Sequence, residues 1–376
     1  MKLLFAIKRL ENAAGGSERV LAKVCSELAS RGHEIVVLTW DAAGAQPFYP
    51  FDQRVRFLNL GIGDSARRTR PWEFIRRLWI LRRAVNAVAP HVAVGFGHSM
   101  FVPLAFALVG TRTPRIGSEH AATAHYDDKP LQLLLLRLAA PLLDSVTVLS
   151  EMLRDDYPAD LRSRMIVLPN PVLAAPQAEA CHADTRYRTI LNVGRLDPQK
   201  DQATLIKAFA LVAPDFPDWR LRIIGEGGLR QELELLVQQL DLNGRVTLPG
   251  VTQMINKEYA SAHLFALPSR YESFGLVSTE AMSHGLAVLG FNDCPGTNEV
   301  VLDGATGLLV GPEHGRVTSF ADGLRKLMAD ADLRHQLGRA GRDRIAHLSS
   351  QCDVVERWEA LLTSASTTKE ISSRAL

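Results

Sequence analysis

Two glutamates, Glu272 and Glu280, stand eight residues apart in the stretch YESFGLVSTEAMSHG (271–285). Pro268 and Ser269 precede them, and Phe274-Gly275 opens a segment that reads as a helix through Ala281 and Met282. The first carboxylate therefore belongs to a loop, and the second lies about a turn and a half inside the helix. A loop carboxylate accepts hydrogen bonds from sugar hydroxyls, and a helix carboxylate can take a pair of them from a ribose. Gly275 lets the backbone approach a ligand, and the helix start offers free N–H groups to a phosphate. The alternative is two solvated glutamates.

Three other stretches carry chemistry. In NVGRLDPQKD (192–201), Arg195 and Lys200 follow an apolar run. Two cations in such a loop suit a diphosphate, Arg by forked contacts and Lys as a point charge. The alternative is a surface loop whose charges pair with Asp197 and Asp201. In NAAGGSE (12–18), Gly15 and Gly16 precede Ser17, which reads as a helix N-cap, so backbone N–H groups can meet an anion there. In RIGSEHAATAH (115–125), Glu119 and His120 end a buried run, with His125 nearby. The chain has no G-x-G-x-x-G fingerprint, Walker A loop, H-E-x-x-H or EF-hand loop, so no metal site is expected. Its one D-x-D, Asp330-Ala331-Asp332, reads as a helix boundary.

These residues need a scaffold. The first half alternates apolar runs with amphipathic stretches: LLFAI (3–7), a helix from Ser17 to Gly32, EIVVLTW (34–40), HVAVGF (91–96), RIGSEH (115–120), SVTVLS (145–150) and MIVLPN (165–170). Residues 170–187 are rich in Ala and Pro and read as a linker. The pattern then restarts with TILNVGRL (189–196), WRLRIIGEG (219–227), RVTLPG (245–250), HLFALPS (263–269), LAVLGF (286–291) and TGLLVGP (306–312). Residues 316–362 look helical, and the polar tail 363–376 reads as frayed. Buried runs alternating with helices imply parallel sheets covered on both faces, here in two α/β units. Ligands of open α/β sheets bind outside the strand carboxyl ends, which makes a cleft between the units the default site.

The chain has 376 residues and a mass of 41.4 kDa, enough for two domains. A net charge of +2 excludes the basic field of a nucleic-acid binder. The first 170 residues carry 22 Lys/Arg against 16 Asp/Glu, so the excess of positive charge lies there. Cys25, Cys181, Cys294 and Cys352 are scattered, which favours a reducing compartment over a disulfide framework. The N-terminal apolar run is too short for a signal peptide, and no run is long enough to span a membrane.

In this order, the pieces resemble the retaining glycosyltransferases of family 4, which have the GT-B fold: two doubly wound Rossmann-like domains facing each other across a cleft. The resemblance rests on Glu272–Glu280 within PSRYESFGLVSTEAMSHGLAVL, with GRLDPQKD, GEGGLR (225–230), NEVVLDGATGLLV (298–310) and AGGSE. It implies an acceptor-binding domain at 1–175 and a nucleotide-sugar-binding domain at 176–350, with a helix near 350–365 packing back on the first. It implies that Gly15 and Gly16 lie against the donor phosphates, and that Arg195 and Lys200 bind the diphosphate. Glu272 would hold donor-sugar hydroxyls, with the backbone of Phe274, Gly275 and Leu276 beside sugar and phosphate. Glu280 would bind the ribose, Gly225 and Gly227 would let the nucleoside lie close, and Val251 would sit near the base. His120 matches a cleft histidine near the reacting sugar.

The implied reaction moves a hexose or N-acetylhexosamine from a nucleotide-diphosphate sugar, UDP first, to a growing glycan such as a lipopolysaccharide core or lipid-linked oligosaccharide. It proceeds by front-face substitution, without metal or cofactor, in the cytoplasm of a bacterium building surface polysaccharide. The alternatives are a GT-B nucleotide-sugar epimerase and a non-catalytic nucleotide-sugar-binding protein. One departure stands out. Many relatives carry a D-C-P-T-G-P-like stretch, and this chain reads Asp293-Cys294-Pro295-Gly296-Thr297-Asn298.

A last stretch, ARRTRPWEFIRRLWILRRAV (66–85), holds seven arginines. Helical spacing turns Phe74, Leu78, Leu81, Val85 and Val88 to a core and leaves Trp72, Ile75 and Trp79 beside Arg76, Arg82 and Arg83. Indoles next to arginines suit an anionic membrane surface, and PLQLLLLRLAAPLL (130–143) is a second interfacial candidate. Peripheral contact with the inner face of the cytoplasmic membrane is one expectation, and two ordinary core helices with solvated arginines are the other.

Overall fold

The computed structural model describes residues 1–62, 71–171, 187–351 and 353–374. Almost all of the inferred linker, and Arg67, Arg68, Arg70, Cys181 and Cys352, lie outside the described residues. The chain forms two units, one from Met1–Pro171 with Asp353–Leu376, the other from Val172–Cys352.

The first unit is built on β1 (Lys2–Ile7), β2 (Glu34–Thr39), β3 (Arg56–Asn59), β4 (Val92–Phe96), β5 (Arg115–Ser118), β6 (Ser145–Val148) and β7 (Met165–Val167). Among the described residues these form one parallel sheet in the order β3-β2-β1-β4-β5-β6-β7. In β1, Leu3, Leu4, Phe5 and Ala6 are fully buried, as an apolar run covered on both faces requires. Helices supply the cover. Gly95 in β4 meets Phe101 of helix His98–Ala107 so closely that a Cβ would lie 2.4 Å from the Phe101 Cα. The edge strand β3 is not among the runs read from the sequence, because its four residues are half-buried or exposed.

The helix after β1 runs Gly16–Ser30 and buries Val20, Leu21, Val24 and Leu28. Its N-cap is Gly15, not Ser17. The Ser17 hydroxyl instead donates to the Glu18 carboxylate at 2.9 Å, which removes it from capping.

The second unit holds β8 (Arg188–Val193), β9 (Trp219–Ile224), β10 (Val246–Gly250), β11 (Leu264–Leu267), β12 (Val288–Phe291) and β13 (Leu308–Val310). They form a parallel sheet in the order β10-β9-β8-β11-β12-β13. Strand order reverses between β1 and β4 in the first sheet and between β8 and β11 in the second. Such switch points open a crevice at the strand carboxyl ends. Asp330 separates helix Arg316–Ala329 from helix Ala331–Gln351, and its carboxylate accepts the Leu333 N–H, so the D-x-D is a helix boundary.

The chain ends in helix Val354–Arg374. Asp353 caps it by accepting the N–H groups of Val355 and Glu356, both at 3.0 Å. The tail read as frayed is therefore helical through Arg374. It continues a helix already nucleated by its packed first turns, and elongation is far easier than nucleation. Those turns bind the first unit. Arg31 pairs with Asp353 at 2.7 Å and Glu359 at 3.1 Å, and Trp358 stacks on Phe96 at 5.8 Å with Phe5 edge-on at 6.2 Å. Truncating so large a buried ring, Trp358→Ala, is expected to cost ~3–5 kcal/mol of stability. Urea unfolding measures it, and a change below about 1 kcal/mol would show that the helix contributes little to the core.

Candidate active site

Both loops at the switch point of the second sheet carry a charged side chain, and the two charges touch. Lys200 ends the loop after β8, and Glu272 lies in the loop after β11. The Lys200 ammonium donates to Glu272 Oε1 at 2.6 Å and Oε2 at 2.8 Å. Their side chains are only 12% and 8% exposed. Taking a pair this far from water carries a desolvation cost that close contact offsets, so its geometry must be held by other bonds. Those bonds are present. The Gln199 side chain donates to the Tyr271 carbonyl at 3.0 Å, and the Arg270 N–H donates to the Gln199 carbonyl at 2.9 Å.

The loop after β12 closes the third side. The Glu272 N–H donates to the Pro295 carbonyl at 2.8 Å, and a Cβ on Gly296 would lie 2.4 Å from the Glu272 carbonyl oxygen. Gly296 also has φ +79. The departure from the family stretch therefore puts glycine where the backbone of Glu272 requires it. Phe274, Gly275 and Leu276 follow in the same loop, with Gly275 at φ 65 at the start of helix Leu276–Ser283.

Gly225 and Gly227 follow β9 and pack on the loop of Arg195. A Cβ on Gly225 would lie 1.9 Å from the Gly194 carbonyl oxygen, and one on Gly227 would lie 2.3 Å from that of Leu196. Both glycines are thus already required by the chain itself. The Arg195 side chain is 66% exposed, its guanidinium 3.3 Å from Gln199 Oε1 and 3.3 Å from Asp197, and it is not joined to the Lys200–Glu272 contact. Val251, after β10, is 44% exposed.

Glu280 is not a solvated glutamate. It is buried, and its carboxylate accepts the Tyr259 hydroxyl at 2.9 Å, while the Tyr259 ring stacks on His284 at 5.2 Å. Glu272 is buried as well, so the solvated alternative fails for both. Sequence reading passes over Tyr259 and Arg316, which touch these same elements, and Asp201, read there as a partner for Arg195 or Lys200, instead stands beside Arg270 and Arg316. Tyr259 and Glu280 are 21 positions apart and Arg316 and Asp201 are 115 apart, and no short motif joins them.

In the first unit the loop after β5 holds His120 and Glu119. The Glu119 carboxylate is fully buried and accepts the N–H groups of His120 at 2.9 Å and Ala121 at 2.8 Å, and the Tyr126 hydroxyl at 2.7 Å. It thereby fixes the turn that carries His120. Burial pushes the Glu119 carboxyl up to about 7, against the pull of those hydrogen bonds. The His120 ring stacks on Phe96 at 4.8 Å, with Nε2 3.0 Å from the Ser118 hydroxyl, and burial pushes it down to about 4. At neutral pH it is an uncharged imidazole. Gly15 and Gly16 belong to the loop and helix after β1, where the Glu18 carboxylate folds over Gly15. Among the described residues no three His, Cys, Asp or Glu side chains are grouped to hold a metal ion.

Comparison with known proteins agrees with both halves. Residues 177–344 match the family model of the glycosyl transferases group 1, and residues 15–171 match that of the glycosyl transferase 4-like domain. An exopolysaccharide phosphotransferase of Streptomyces coelicolor is 30% identical over 93% of this chain, which spans only 39% of that protein's length. A Campylobacter jejuni enzyme, named as an N-acetyl-D-galactosaminyltransferase acting on a diphospho-undecaprenol-linked saccharide, is 25% identical over 93% of this chain and 97% of its own. Among solved structures, Anabaena HepE in complex with UDP and glucose superimposes with a TM-score of 0.76 at 18% identity, covering 97% of this chain and 100% of that one. Two parallel switch-point sheets, the loops that follow their strands and matches over both halves lead to one conclusion: the chain is a glycosyltransferase with the GT-B fold, its first unit matching the glycosyl transferase 4-like domain and its second the glycosyl transferases group 1.

Proposed function

We propose that this glycosyltransferase moves a hexose or N-acetylhexosamine from a nucleotide-diphosphate sugar, UDP being the first choice, to a glycan on a lipid carrier or lipopolysaccharide core, with retention at the anomeric carbon. The observation that carries the reading is the contact of Lys200 with Glu272 at the switch point. A donor entering there trades the pair for two ligand contacts of the same kind. The ammonium turns to the diphosphate, and the carboxylate accepts sugar hydroxyls. In the reaction the bond from the anomeric carbon to the β-phosphate oxygen breaks, and the acceptor oxygen bonds to that carbon on the same face. The acceptor proton leaves with the phosphate. Negative charge grows on the β-phosphate, and Lys200, Arg195 and the N–H groups at Gly275 and Leu276 are the groups proposed to offset it. Glu280, oriented by Tyr259, is proposed for the ribose, with Gly225, Gly227 and Val251 along the nucleoside. Gly15 and Gly16 are proposed to approach the donor phosphates. His120, uncharged at neutral pH, offers one N–H and one lone pair near the reacting sugar.

The acceptor class draws on the Campylobacter relative and on the surface of the first unit. Helix Pro71–Val88 exposes Trp72 (56%), Ile75 (67%) and Trp79 (60%), and helix Pro130–Ala139 exposes Leu131, Leu134 and Leu138. Arg76 and Arg83 stand exposed beside the indoles, with the Arg83 guanidinium 5.6 Å from the Trp79 ring centre. Arg82 is otherwise engaged, donating to the carbonyls of Ala107 and Val109. No described helix is long and apolar enough to cross a membrane. An interfacial role on the cytoplasmic face fits two apolar stripes, the first flanked by Arg76 and Arg83, each arginine near the surface contributing ~1 kcal/mol with anionic lipid, while Arg137 of the second helix pairs with Asp160.

Three outcomes follow. Lys200→Ala and Glu272→Ala each lower transfer by ~10²–10³, the loss of a charged transition-state contact, with the circular dichroism spectrum unchanged. Near wild-type turnover in either variant contradicts the assignment. Turnover persists in EDTA, because fixed cations and helix-end N–H groups meet the phosphate charge, and a strict requirement for added Mg²⁺ or Mn²⁺ overturns that argument. The protein floats with liposomes containing anionic lipid at low salt and is released at high salt. If it stays at the bottom of the gradient at low salt, the membrane reading fails and a soluble acceptor takes its place.

A further inference from the structure

Arg316 is the first residue of helix Arg316–Ala329, preceded by Gly315 at φ 87. A cation at this end of a helix faces the positive pole of the dipole, an unfavourable placement. Its surroundings supply what the helix does not. Nη2 donates to the carbonyls of Pro268 at 3.0 Å and Ser269 at 3.2 Å, in the loop after β11. Nη1 meets Asp293 Oδ2 at 3.1 Å and Oδ1 at 3.2 Å, in the loop after β12. Nε lies 3.4 Å from Asp201 Oδ2, at the end of the loop after β8. The guanidinium carbon stands 3.7 Å from the centre of the Phe291 ring, which fixes the plane of the fork. One half-buried side chain therefore touches all three loops around Lys200 and Glu272.

Asp201 is itself unusual. It follows Lys200 directly, is buried, and has φ 48, a left-handed conformation that a non-glycine residue adopts at a cost. The Thr204 hydroxyl donates to its Oδ1 at 3.0 Å, and Arg270 stands 3.2 Å from its Oδ2. The backbone direction at Asp201 decides where the chain presents Lys200. Two locally unfavourable choices, a cation at a helix start and a left-handed aspartate, thus meet in one ion pair next to the lysine.

We infer that Arg316 is a positioning residue, a bracket that holds the loops after β8, β11 and β12 in register so that Lys200 and Glu272 stand in contact before a donor arrives. The proposal rests on the reading of that pair as the donor site. Lysine is no substitute, since one ammonium cannot serve two carbonyls, Asp293 and Asp201 with fixed directions.

The test uses the whole chain, with Arg316→Gln, Arg316→Lys and Asp293→Asn. Acetic anhydride labelling of Lys200 without nucleotide, read by mass spectrometry against exposed Lys207 in the same sample, reports the bracket alone. Calorimetry with UDP, in the wild-type and Lys200→Ala backgrounds, reports its service to the donor site. We expect Arg316→Gln to raise Lys200 labelling about tenfold relative to Lys207, with Arg316→Lys and Asp293→Asn between it and the wild type. UDP affinity falls about tenfold in the wild-type background and hardly at all once Lys200 is absent, because the bracket acts through that lysine. A purely structural arginine would weaken both backgrounds alike. Unchanged Lys200 labelling in all three variants overturns the bracket. Raised labelling with UDP affinity unmoved, or moved equally in both backgrounds, overturns its link to the donor pair. A wild type that binds no nucleoside diphosphate sinks the donor reading itself, while the labelling still decides whether the bracket exists.

Discussion

A lysine and a glutamate held in contact at the edge of water set the terms for the second unit. Neither charge would be stable there alone. Removing one partner of such a pair leaves the other stranded at a cost of ~3–5 kcal/mol, whereas together they roughly offset their desolvation. The pair is therefore neutral ballast for folding and, on the proposed reading, a store of two charges for a donor. That use demands fixed loops, because an ammonium and a carboxylate on mobile chain would each find water first. The surrounding hydrogen bonds, the backbone contact at Gly296 and the Arg316 fork supply the rigidity.

The sheet supplies the location. Parallel strands place every following loop at one edge, and reversal of strand order between β8 and β11 parts two neighbouring loops there. The two residues in contact come from those loops. Backbone-to-backbone packing then tightens the edge. Gly225 against Gly194 and Gly227 against Leu196 leave no room for a Cβ, so these glycines serve the protein's own chain whatever ligand lies above them. In the first unit the same logic produces a different chemistry. A buried carboxylate at Glu119 is spent on two N–H groups and a tyrosine hydroxyl, and it carries an uncharged His120 beside it.

The sheets were legible because fully covered strands are continuous apolar runs, and β1, β4, β8 and β11 read directly as such. β3 was not, since an edge strand of four residues lacks that run. The start of the first long helix was misread at Ser17, whose hydroxyl is engaged by its neighbour Glu18. The polar tail has no apolar stripe to reveal the helix that its packed turns propagate. Within the site, Lys200 and Glu272 were visible as charges in loops after apolar runs, but their contact was not, because 72 positions separate them. Tyr259 beneath Glu280 and Arg316 across three loops give no local signal, for their roles exist only once distant segments meet. The glycines were visible as flexible positions, and only the packing shows that the partners they approach belong to the chain.

The most direct test of the account is a crystal structure of the chain with an intact nucleoside-diphosphate sugar bound. The account predicts that the Lys200–Glu272 contact has opened, with the Lys200 ammonium within hydrogen-bonding reach of a diphosphate oxygen and the Glu272 carboxylate accepting a sugar hydroxyl. A bound donor that leaves the two side chains paired, its diphosphate held by other residues, would contradict it.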